Sequence, residues 1–401
     1  MLVLAGCAGR PLAVPMPPEV PPPTLAVDLH LHVSMVQAAK PFFRGESGSG
    51  PLARSGSTRL DNQIEESQLH AAGLKLALAA VWPPFELRPG RSALDEAIHQ
   101  LRELQQFGRR QPGFAIVSSA AQARMAIARG RIALLPAVEG GEGIREVDDV
   151  DRLWLAGART LSLVHFDNNA LGGAAYGQIS RNLLGIKTEA LEPRGLTDLG
   201  RAAVERMIAL GIVIDLSHAS DALSVDVLNL TEPLGVPVLN THSGARALLP
   251  MERSISDALA ARIAQAGGLV GIPVFDKMVA DVPESARFPG FVPNTCDEVV
   301  AHWLHLAKVA GAGSLTLGSD FNGFITRHAP GGSCPNGLRN TGDLPALWAA
   351  LVTHGLPREA LDEMGEKFLT LVEKVEAKAD PVARKAARRI RRIDVGPYEG
   401  P

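Results

Sequence analysis

Side chains that bind metal ions stand at the ends of several apolar, β-type runs in this chain. The runs are VDLHLH, LLPAVEGG, GIVIDLSH and VPVLNTH, and they carry His30, His32, Glu139, His218 and His242. Neutral imidazole nitrogens and carboxylate oxygens form a donor set suited to zinc. The residue types therefore indicate a hydrolytic metal centre.

The spacing of these residues indicates how two ions could be held. His30 and His32 are two positions apart on a strand, so their side chains point to the same face and can bind one ion together. The two oxygens of Glu139 can bridge two cations, as two-metal hydrolysis requires. A single histidine at a strand end is more often a hydrogen-bonded packing residue. Its recurrence at successive strand ends favours a centre of two divalent ions, with zinc as the expected metal.

Two further residues at strand ends could take part in the chemistry. Asp320 ends the run SLTLGSD, where its carboxylate could accept a proton from water and pass it on as a general acid and base. The alternative is an aspartate that caps the following turn. His165 ends LSLVH and could polarise a carbonyl group, or it could be a packed histidine behind the metal ligands.

The elements that carry these residues alternate between strand-like and helix-like patterns. One such helix is predicted to begin after Thr197 and end at Gly211, and a last one covers residues 357–377. Alternation of this kind predicts parallel strands with right-handed crossovers and an active site at the carboxyl ends of the strands. We therefore predict an α/β fold, a (β/α)8 TIM-type barrel, from eight strand-like runs: 25–32, 74–82, 132–140, 160–166, 212–218, 236–242, 269–275 and 315–320.

Composition supports one large globular domain, predicted for residues 25–377. The chain has 401 residues, 46% of them hydrophobic, and a formal net charge of −3, which gives no electrostatic reason to expect a nucleic acid partner. The basic tail, residues 378–401, contains ARKAARRIRR, which we interpret as a solvated helix face. The glycine- and serine-rich segment 41–59 predicts a loop over the barrel mouth.

The first 24 residues resemble a lipoprotein signal followed by a spacer. The apolar stretch ends in Leu4-Ala5-Gly6-Cys7, where Cys7 would take the lipid, and a proline-rich, extended segment follows it. Only six residues precede Cys7, fewer than a signal needs, so we expect the true start to lie upstream. Membrane contact would then be limited to this anchor, in a bacterial cell envelope. If the motif is accidental, the protein is secreted or cytoplasmic.

The remaining cysteines leave two alternatives open. Cys296 and Cys334 are far apart in the sequence and form no CxxC motif. They could pair in an oxidising compartment, or remain as two free buried thiols.

Several segments together are similar to the membrane (renal) dipeptidase family of zinc-dependent peptidases. The resemblance runs from about Val27 to Val375 and is strongest in AVEGG, LSLVHFDNNALG, GLTDLGRAAVERMIALGIVIDLSHAS, NTHSGARAL and GSDFNG. It implies metal binding by the five ligand candidates and a proton-transfer role for Asp320. It also implies contact of His165 with the substrate carbonyl and of Arg253 with the substrate's C-terminal carboxylate. From the residues alone, Arg253 reads as a surface arginine.

The chain departs from the family pattern at three positions. The first motif usually reads His-x-Asp, whereas His32 stands here, Asn322 replaces an aspartate, and Lys367 replaces an asparagine. His32 removes one negative charge and makes the motif similar to the His-x-His of broader amidohydrolases.

The expected activity is hydrolysis of a dipeptide amide by a hydroxide that bridges two zinc ions. One alternative is an amidohydrolase that acts on another amide, a lactone or an ester. Another is a surface-binding protein without activity, although a candidate for every catalytic role argues against it. A homodimer is compatible with the sequence.

Overall fold

The structure is a computed structural model that describes residues 20–34, 62–83, 92–175, 194–323 and 327–390. The predicted lipidation residue Cys7 and the predicted loop 41–59 lie outside these ranges. The described strands are β1 (Ala26–Leu31), β2 (Leu74–Val81), β3 (Phe114–Ile116), β4 (Ile132–Val138), β5 (Thr160–Ser162), β6 (Val213–Asp215), β7 (Leu239–Asn240), β8 (Leu269–Ile272) and β9 (Leu315–Leu317).

The described helices surround these strands and mostly lie between them in sequence. They are α1 (Glu66–Ala71), α2 (Ala93–Arg110), α3 (Ala120–Ala128), α4 (Asp148–Ala156), α5 (Asp198–Leu210), α6 (Asp221–Thr231), α7 (Asp257–Gln265), α8 (Asp276–Val279), α9 (Asp297–Ala310), α10 (Leu344–Thr353), α11 (Arg358–Ala377) and α12 (Pro381–Ile390). In the described ranges, none of them is both long and apolar enough to cross a membrane.

Eight of the described strands close into a parallel barrel, which confirms the predicted fold class. The order around the barrel is β1, β2, β4, β5, β6, β7, β8 and β9, with β9 pairing back to β1. Strand β4 is buried along its whole length, as expected for a strand covered on both faces. All eight predicted runs therefore contribute barrel strands, although the observed strands end earlier because the polar residues leave the ladder at the barrel mouth.

One strand was not predicted. β3 lies beside the first residues of β4, with Phe114 opposite Ile132, whereas β5 pairs with the last residues of β4, beginning with Ala137 opposite Thr160. With only three residues, β3 is too short to show the alternation by which a strand is recognised in a sequence.

Local capping explains where α5 begins and ends. The Thr197 hydroxyl accepts a hydrogen bond from the Gly200 amide at 2.9 Å, and Gly211 ends α5 in the left-handed conformation with φ 72°. Both predicted ends of this helix are confirmed, and α11 confirms the predicted helix at 357–377.

The first part of the basic tail forms α12 and packs on the barrel. Arg384 Nε donates to the Leu210 carbonyl at 3.0 Å, and Ala387 is fully buried. Lys385 and Arg389 on the same helix are exposed, so one face of α12 is solvated as the sequence suggested.

Cys296 and Cys334 form a disulfide, so the pairing alternative is confirmed. The sulfurs are 2.07 Å apart, and both residues are fully buried. The bond links the start of α9 to the segment that follows β9. Two loops above the carboxyl ends of the strands are thereby tied together.

Two glycines allow a close backbone approach inside the barrel. A Cβ on Gly271 of β8 would lie 1.9 Å from the Thr241 carbonyl oxygen, and a Cβ on Gly318 after β9 would lie 1.8 Å from it. The Thr241 carbonyl, directly after β7, can therefore lie this close to β8 and to the segment after β9 only because Gly271 and Gly318 have no Cβ.

We expect Gly318→Ala to lower the free energy of unfolding by about 1–3 kcal/mol, because the added methyl group meets backbone that cannot shift independently. Urea denaturation measures the change. Gly313→Ala is the matched control, since its Cβ would meet only the end of the Lys367 side chain. Equal losses for the two variants would contradict this account of the barrel interior.

Candidate metal centre

Glu139, directly after β4, lies at the centre of a cluster at the barrel mouth. Its Oε1 is 3.1 Å from His218 Nε2, 3.4 Å from His30 Nε2 and 3.4 Å from His242 Nε2. Its Oε2 is 3.6 Å from His32 Nε2. The structure therefore brings together all five predicted metal ligands.

Two pairs of ring nitrogens face each other closely enough to share a proton or a metal ion. His30 Nε2 is 3.1 Å from His32 Nε2, and His218 Nε2 is 3.0 Å from His242 Nε2. Two lone pairs this close repel unless they share a proton or a metal ion. The donor set of imidazoles and carboxylates fits zinc and similar ions. In the described ranges, the groups that could each hold an ion are His30–His32–Asp320, His30–Glu139–His242 and Glu139–His165–His218.

Electrostatics at the centre favour a cation. Burial opposes the charged form of His30, but Glu139, Asp320 and Asp215 outweigh it and raise the pKa of His30 to about 9. Burial likewise opposes ionisation of Glu139, yet the rings of His30 and His165 hold the pKa of this carboxyl well below its usual range. The carboxylate therefore stays charged although it is buried.

The other two imidazoles are kept neutral. Burial, with Arg253 adding to it, holds the pKa of His218 well below its usual range, and burial with His30 and Arg253 does the same for His242. A neutral imidazole has a free lone pair, which metal binding requires.

His165 presents a proton to the centre. Trp82 Nε1 donates to His165 Nδ1 at 3.1 Å, so the neutral ring carries its proton on Nε2, which lies 3.5 Å from Glu139 Oε1. The Glu142 carboxylate accepts the His165 backbone N–H at 2.8 Å and fixes the segment. The ring is thus oriented as a hydrogen-bond donor.

Arg253 is buried at the same mouth, so its interpretation as a surface arginine was wrong. It is 8% exposed, because the chain after β7 folds back over the centre. Its Nη1 donates to the His242 carbonyl at 2.9 Å and to Ser243 Oγ at 3.0 Å. Its Nη2 lies 3.1 Å from His218 Nε2. One half of the guanidinium is anchored to the protein and the other half faces the centre.

Asp320 also reaches the centre. Its Oδ1 lies 3.2 Å from His32 Nε2, and its side chain is 15% exposed, so water can reach it. The residue adopts a left-handed backbone with φ 61°, which aspartate tolerates better than most residues. Its amide donates to the His30 carbonyl at 2.9 Å, so β1 and the segment after β9 are joined directly below the site.

Behind His30, a buried carboxylate fixes the backbone. Asp28 Oδ1 accepts the amides of His30 and Ser319, each at 2.9 Å, and its Oδ2 accepts the Ser319 hydroxyl at 2.5 Å. Burial raises the pKa of Asp28 to about 6 despite these hydrogen bonds.

Sequence reasoning missed Trp82, Glu142 and Asp28 as parts of the site. Trp82 ends a predicted strand, and Glu142 follows the EGG motif, so their positions were the available signals. Asp28 lies two residues before His30 in β1, so its spacing from the histidines was the available signal.

Of the family departures, Asn322 lies beside the site and Lys367 does not. Asn322 Oδ1 accepts the Gln63 amide at 2.8 Å, and Asn322 Nδ2 donates to Asn62 Oδ1 at 3.0 Å. These two hydrogen bonds hold residues 62 and 63 beside the segment that follows β9. Lys367 Nζ pairs with Glu363 at 3.0 Å on α11, away from the centre.

Known proteins share this sequence and fold in part. A curated fungal protein named dipeptidase tcpJ, from Claviceps purpurea, is 30% identical over 249 residues, which are 62% of this chain and 52% of that protein. An uncharacterized dipeptidase of Schizosaccharomyces pombe is 30% identical over 252 residues, 61% of this chain and 54% of that protein. The chain thus spans about half the length of the curated relatives it matches.

Among solved structures, the probable dipeptidase PvdM from Pseudomonas aeruginosa has a TM-score of 0.68 at 20% identity, covering 89% of this chain and 96% of that one. At these identities the likeness concerns the fold. The family model described as membrane dipeptidase, peptidase family M19, matches residues 24–386. The chain that builds this barrel and this cluster of histidines and carboxylates therefore belongs to the membrane dipeptidase family, M19, of metal-dependent peptidases.

Proposed function

We propose that this protein is a dipeptidase whose centre holds two zinc ions. The observation that carries the proposal is the pair of facing nitrogen contacts, at 3.1 Å and 3.0 Å, on either side of one carboxylate. Two such pairs supply two places for a cation, and Glu139 lies within reach of both. When bound, divalent ions polarise a carbonyl and activate water.

The chain's own residues supply the other functions that amide hydrolysis needs. The Nε2 proton of His165 can stabilise negative charge on the scissile carbonyl oxygen. Asp320 faces the centre and is partly exposed, so it can take a proton from water and deliver it to the leaving amine. Both groups lie at the edge of the cluster rather than between the paired nitrogens.

Arg253 supports a substrate with a free carboxylate. Its Nη1 is already used by the His242 carbonyl and Ser243, and a metal on His218 Nε2 would leave Nη2 without its present acceptor. A carboxylate is the natural partner for that buried donor. A related metallopeptidase from Rhodobacter sphaeroides, 23% identical with a TM-score of 0.66 over 88% of this chain and 99% of that one, was solved with a phosphinate mimic of the dipeptide L-Ala-D-Ala. We propose free dipeptides as the substrate class.

A second candidate function is hydrolysis of another amide, a lactone or an ester. His32 favours it, because the resulting His-x-His pair is similar to the motif of broader amidohydrolases and carries one negative charge less than the family's usual motif.

We also propose that Cys7 is lipidated and holds the barrel at a bacterial cell envelope. The small residues before Cys7 and the proline-rich segment after it support this.

We expect two zinc ions per chain after reconstitution, measured by elemental analysis. Glu139→Gln should retain at most one, because an amide has no charge to share between two cations. His32→Asp should retain metal more strongly than the wild type. A wild-type stoichiometry near zero would rule out the metal centre, and a stoichiometry of one would rule out the binuclear form.

Asp320→Asn should lower turnover by roughly 10²-fold or more, because an amide cannot accept and redeliver a proton. Asparagine tolerates the left-handed backbone at this position, so the fold and most metal binding should survive. Steady-state kinetics with a free dipeptide, beside the zinc content of the same preparation, measure both effects. Turnover close to the wild type would exclude this role for Asp320.

Arg253→Ala should lower kcat/KM for free dipeptides by roughly 10- to 100-fold, because a charge-assisted contact contributes about 1.5–3 kcal/mol. C-terminally amidated dipeptides should lose little, so the preference for the free form should disappear in this variant.

Arg262→Ala is the matched control for that experiment. Arg262 pairs with Glu232 at 2.8 Å and lies outside the centre, so its loss should leave the preference unchanged. A wild-type enzyme without any preference for free dipeptides, or one that prefers lactones or esters, would support the second candidate function instead.

A further inference from the structure

The hydroxyl of Thr241 lies behind two of the candidate metal ligands. Its Oγ1 is 3.0 Å from His242 Nδ1 and 3.4 Å from His30 Nδ1, the ring atoms opposite those that face Glu139. The same oxygen is 2.7 Å from Asp215 Oδ2 and 3.0 Å from Ser217 Oγ. All of these residues are buried, so the described side chains, rather than bulk water, decide where each proton lies.

The hydrogens available around Thr241 fix the direction of its hydrogen bonds. Asp215 Oδ1 accepts two backbone amides, those of Ser217 and Thr241, each at 2.9 Å. Burial raises the pKa of Asp215, whereas the hydrogen bonds from Ser217 and Thr241 favour its ionised form. In that form Asp215 has no hydrogen to give, so the single hydroxyl hydrogen of Thr241 points to Asp215 Oδ2. The lone pairs of Thr241 Oγ1 are then left as acceptors.

A hydroxyl that only accepts selects one tautomer of each neighbouring ring. His242 and His30 can satisfy Thr241 only by carrying a proton on Nδ1. In the neutral form of each ring, Nε2 is then an unprotonated donor atom, and each Nε2 lies 3.4 Å from Glu139 Oε1. One hydroxyl therefore sets the ligand atoms of two histidines that are 212 positions apart in the sequence.

The backbone holds Thr241 in place for this task. Its amide donates to Asp215, and its carbonyl lies against Gly271 and Gly318, where no Cβ would fit. A shift of the hydroxyl would require movement of the barrel strands themselves.

We propose that Thr241 is a positioning residue, which with Asp215 presets the Nδ1-protonated tautomers of His30 and His242 for metal binding. The inference rests on the proposed function, since it presumes a metal at this centre. Partners of this kind, which hold the second ring nitrogen of a ligating histidine, typically contribute a factor of about 10–100 to metal affinity.

The test is the dissociation constant of zinc for the purified full chain, measured by competition with a chromophoric chelator. Thr241→Val keeps the shape and removes the hydroxyl, so we expect zinc binding about 10- to 100-fold weaker. Thr241→Ser keeps the hydroxyl and should remain close to the wild type.

Thr160→Val is the matched control. Thr160 is also a buried threonine of the barrel, on β5, but its hydroxyl has no hydrogen-bond partner within the described part of the chain. Its loss should leave zinc affinity unchanged.

Asp215→Asn is a second variant for the same zinc-affinity measurement, and it tests the proposal even if Thr241→Val does not fold. An amide can keep the two backbone hydrogen bonds at Oδ1 while its NH₂ group donates to Thr241. The single Thr241 hydrogen would then turn toward one of the two rings and favour the opposite tautomer of that ring, so zinc should again bind about 10- to 100-fold more weakly.

The outcomes separate this proposal from the proposed function. If the wild type binds no zinc, the metal centre itself fails. If the wild type binds zinc and both Thr241→Val and Asp215→Asn bind it equally well, the positioning role is overturned. Equal losses in Thr241→Val, Thr241→Ser and Thr160→Val would also overturn it, because they would reveal a packing effect instead.

Discussion

A buried carboxylate surrounded by four imidazole nitrogens is the constraint on which the rest of the structure depends. Taking the charge of Glu139 out of water is costly unless positive charge or hydrogen-bond donors replace the lost solvent. Four Nε2 atoms lie within 3.1–3.5 Å of its Oε1; the pKa of His30 is raised to about 9, whereas His218 and His242 are held neutral. The arrangement therefore favours positive charge at the centre, either on His30 or as a bound cation.

The side chains of this cluster must be kept at fixed distances from one another, and the closed barrel fixes the backbone positions that carry them. The five candidate ligands come from four strands, with His30 and His32 both at the end of β1, so moving one group toward another would break ladder hydrogen bonds. Backbone strain occurs at the same rim, where His218 and Asp320 adopt left-handed conformations with φ 66° and 61°. Non-glycine residues in that region carry a cost of roughly 1–3 kcal/mol, which persists only when surrounding contacts enforce it.

Strand ends and their polar residues could be predicted because both follow from local patterns. Apolar runs revealed eight barrel strands, and the parallel topology implied that His30, Glu139 and His242 would meet. Contacts between distant segments could not be predicted. The pairing of Cys296 with Cys334 and the burial of Arg253 depend on how loops fold over the mouth, which no periodicity encodes. Thr241 gave no signal because a threonine beside a strand end is common.

The replacement of the family's usual aspartate by His32 changes the charge of the site more than its shape. His32 Nε2 reaches Glu139 Oε2 and Asp320 Oδ1 at 3.6 Å and 3.2 Å, so the position still points at the centre. What is lost is one anionic side chain, which leaves Glu139 and Asp320 as the carboxylates close to the histidines. In the proposed function Asp320 would serve two needs, because its charge would help to balance the metals and its carboxylate would carry the proton. A proton on Asp320 would weaken that balance at the moment of transfer, so metal retention and proton transfer would be coupled more tightly here than in a His-x-Asp site.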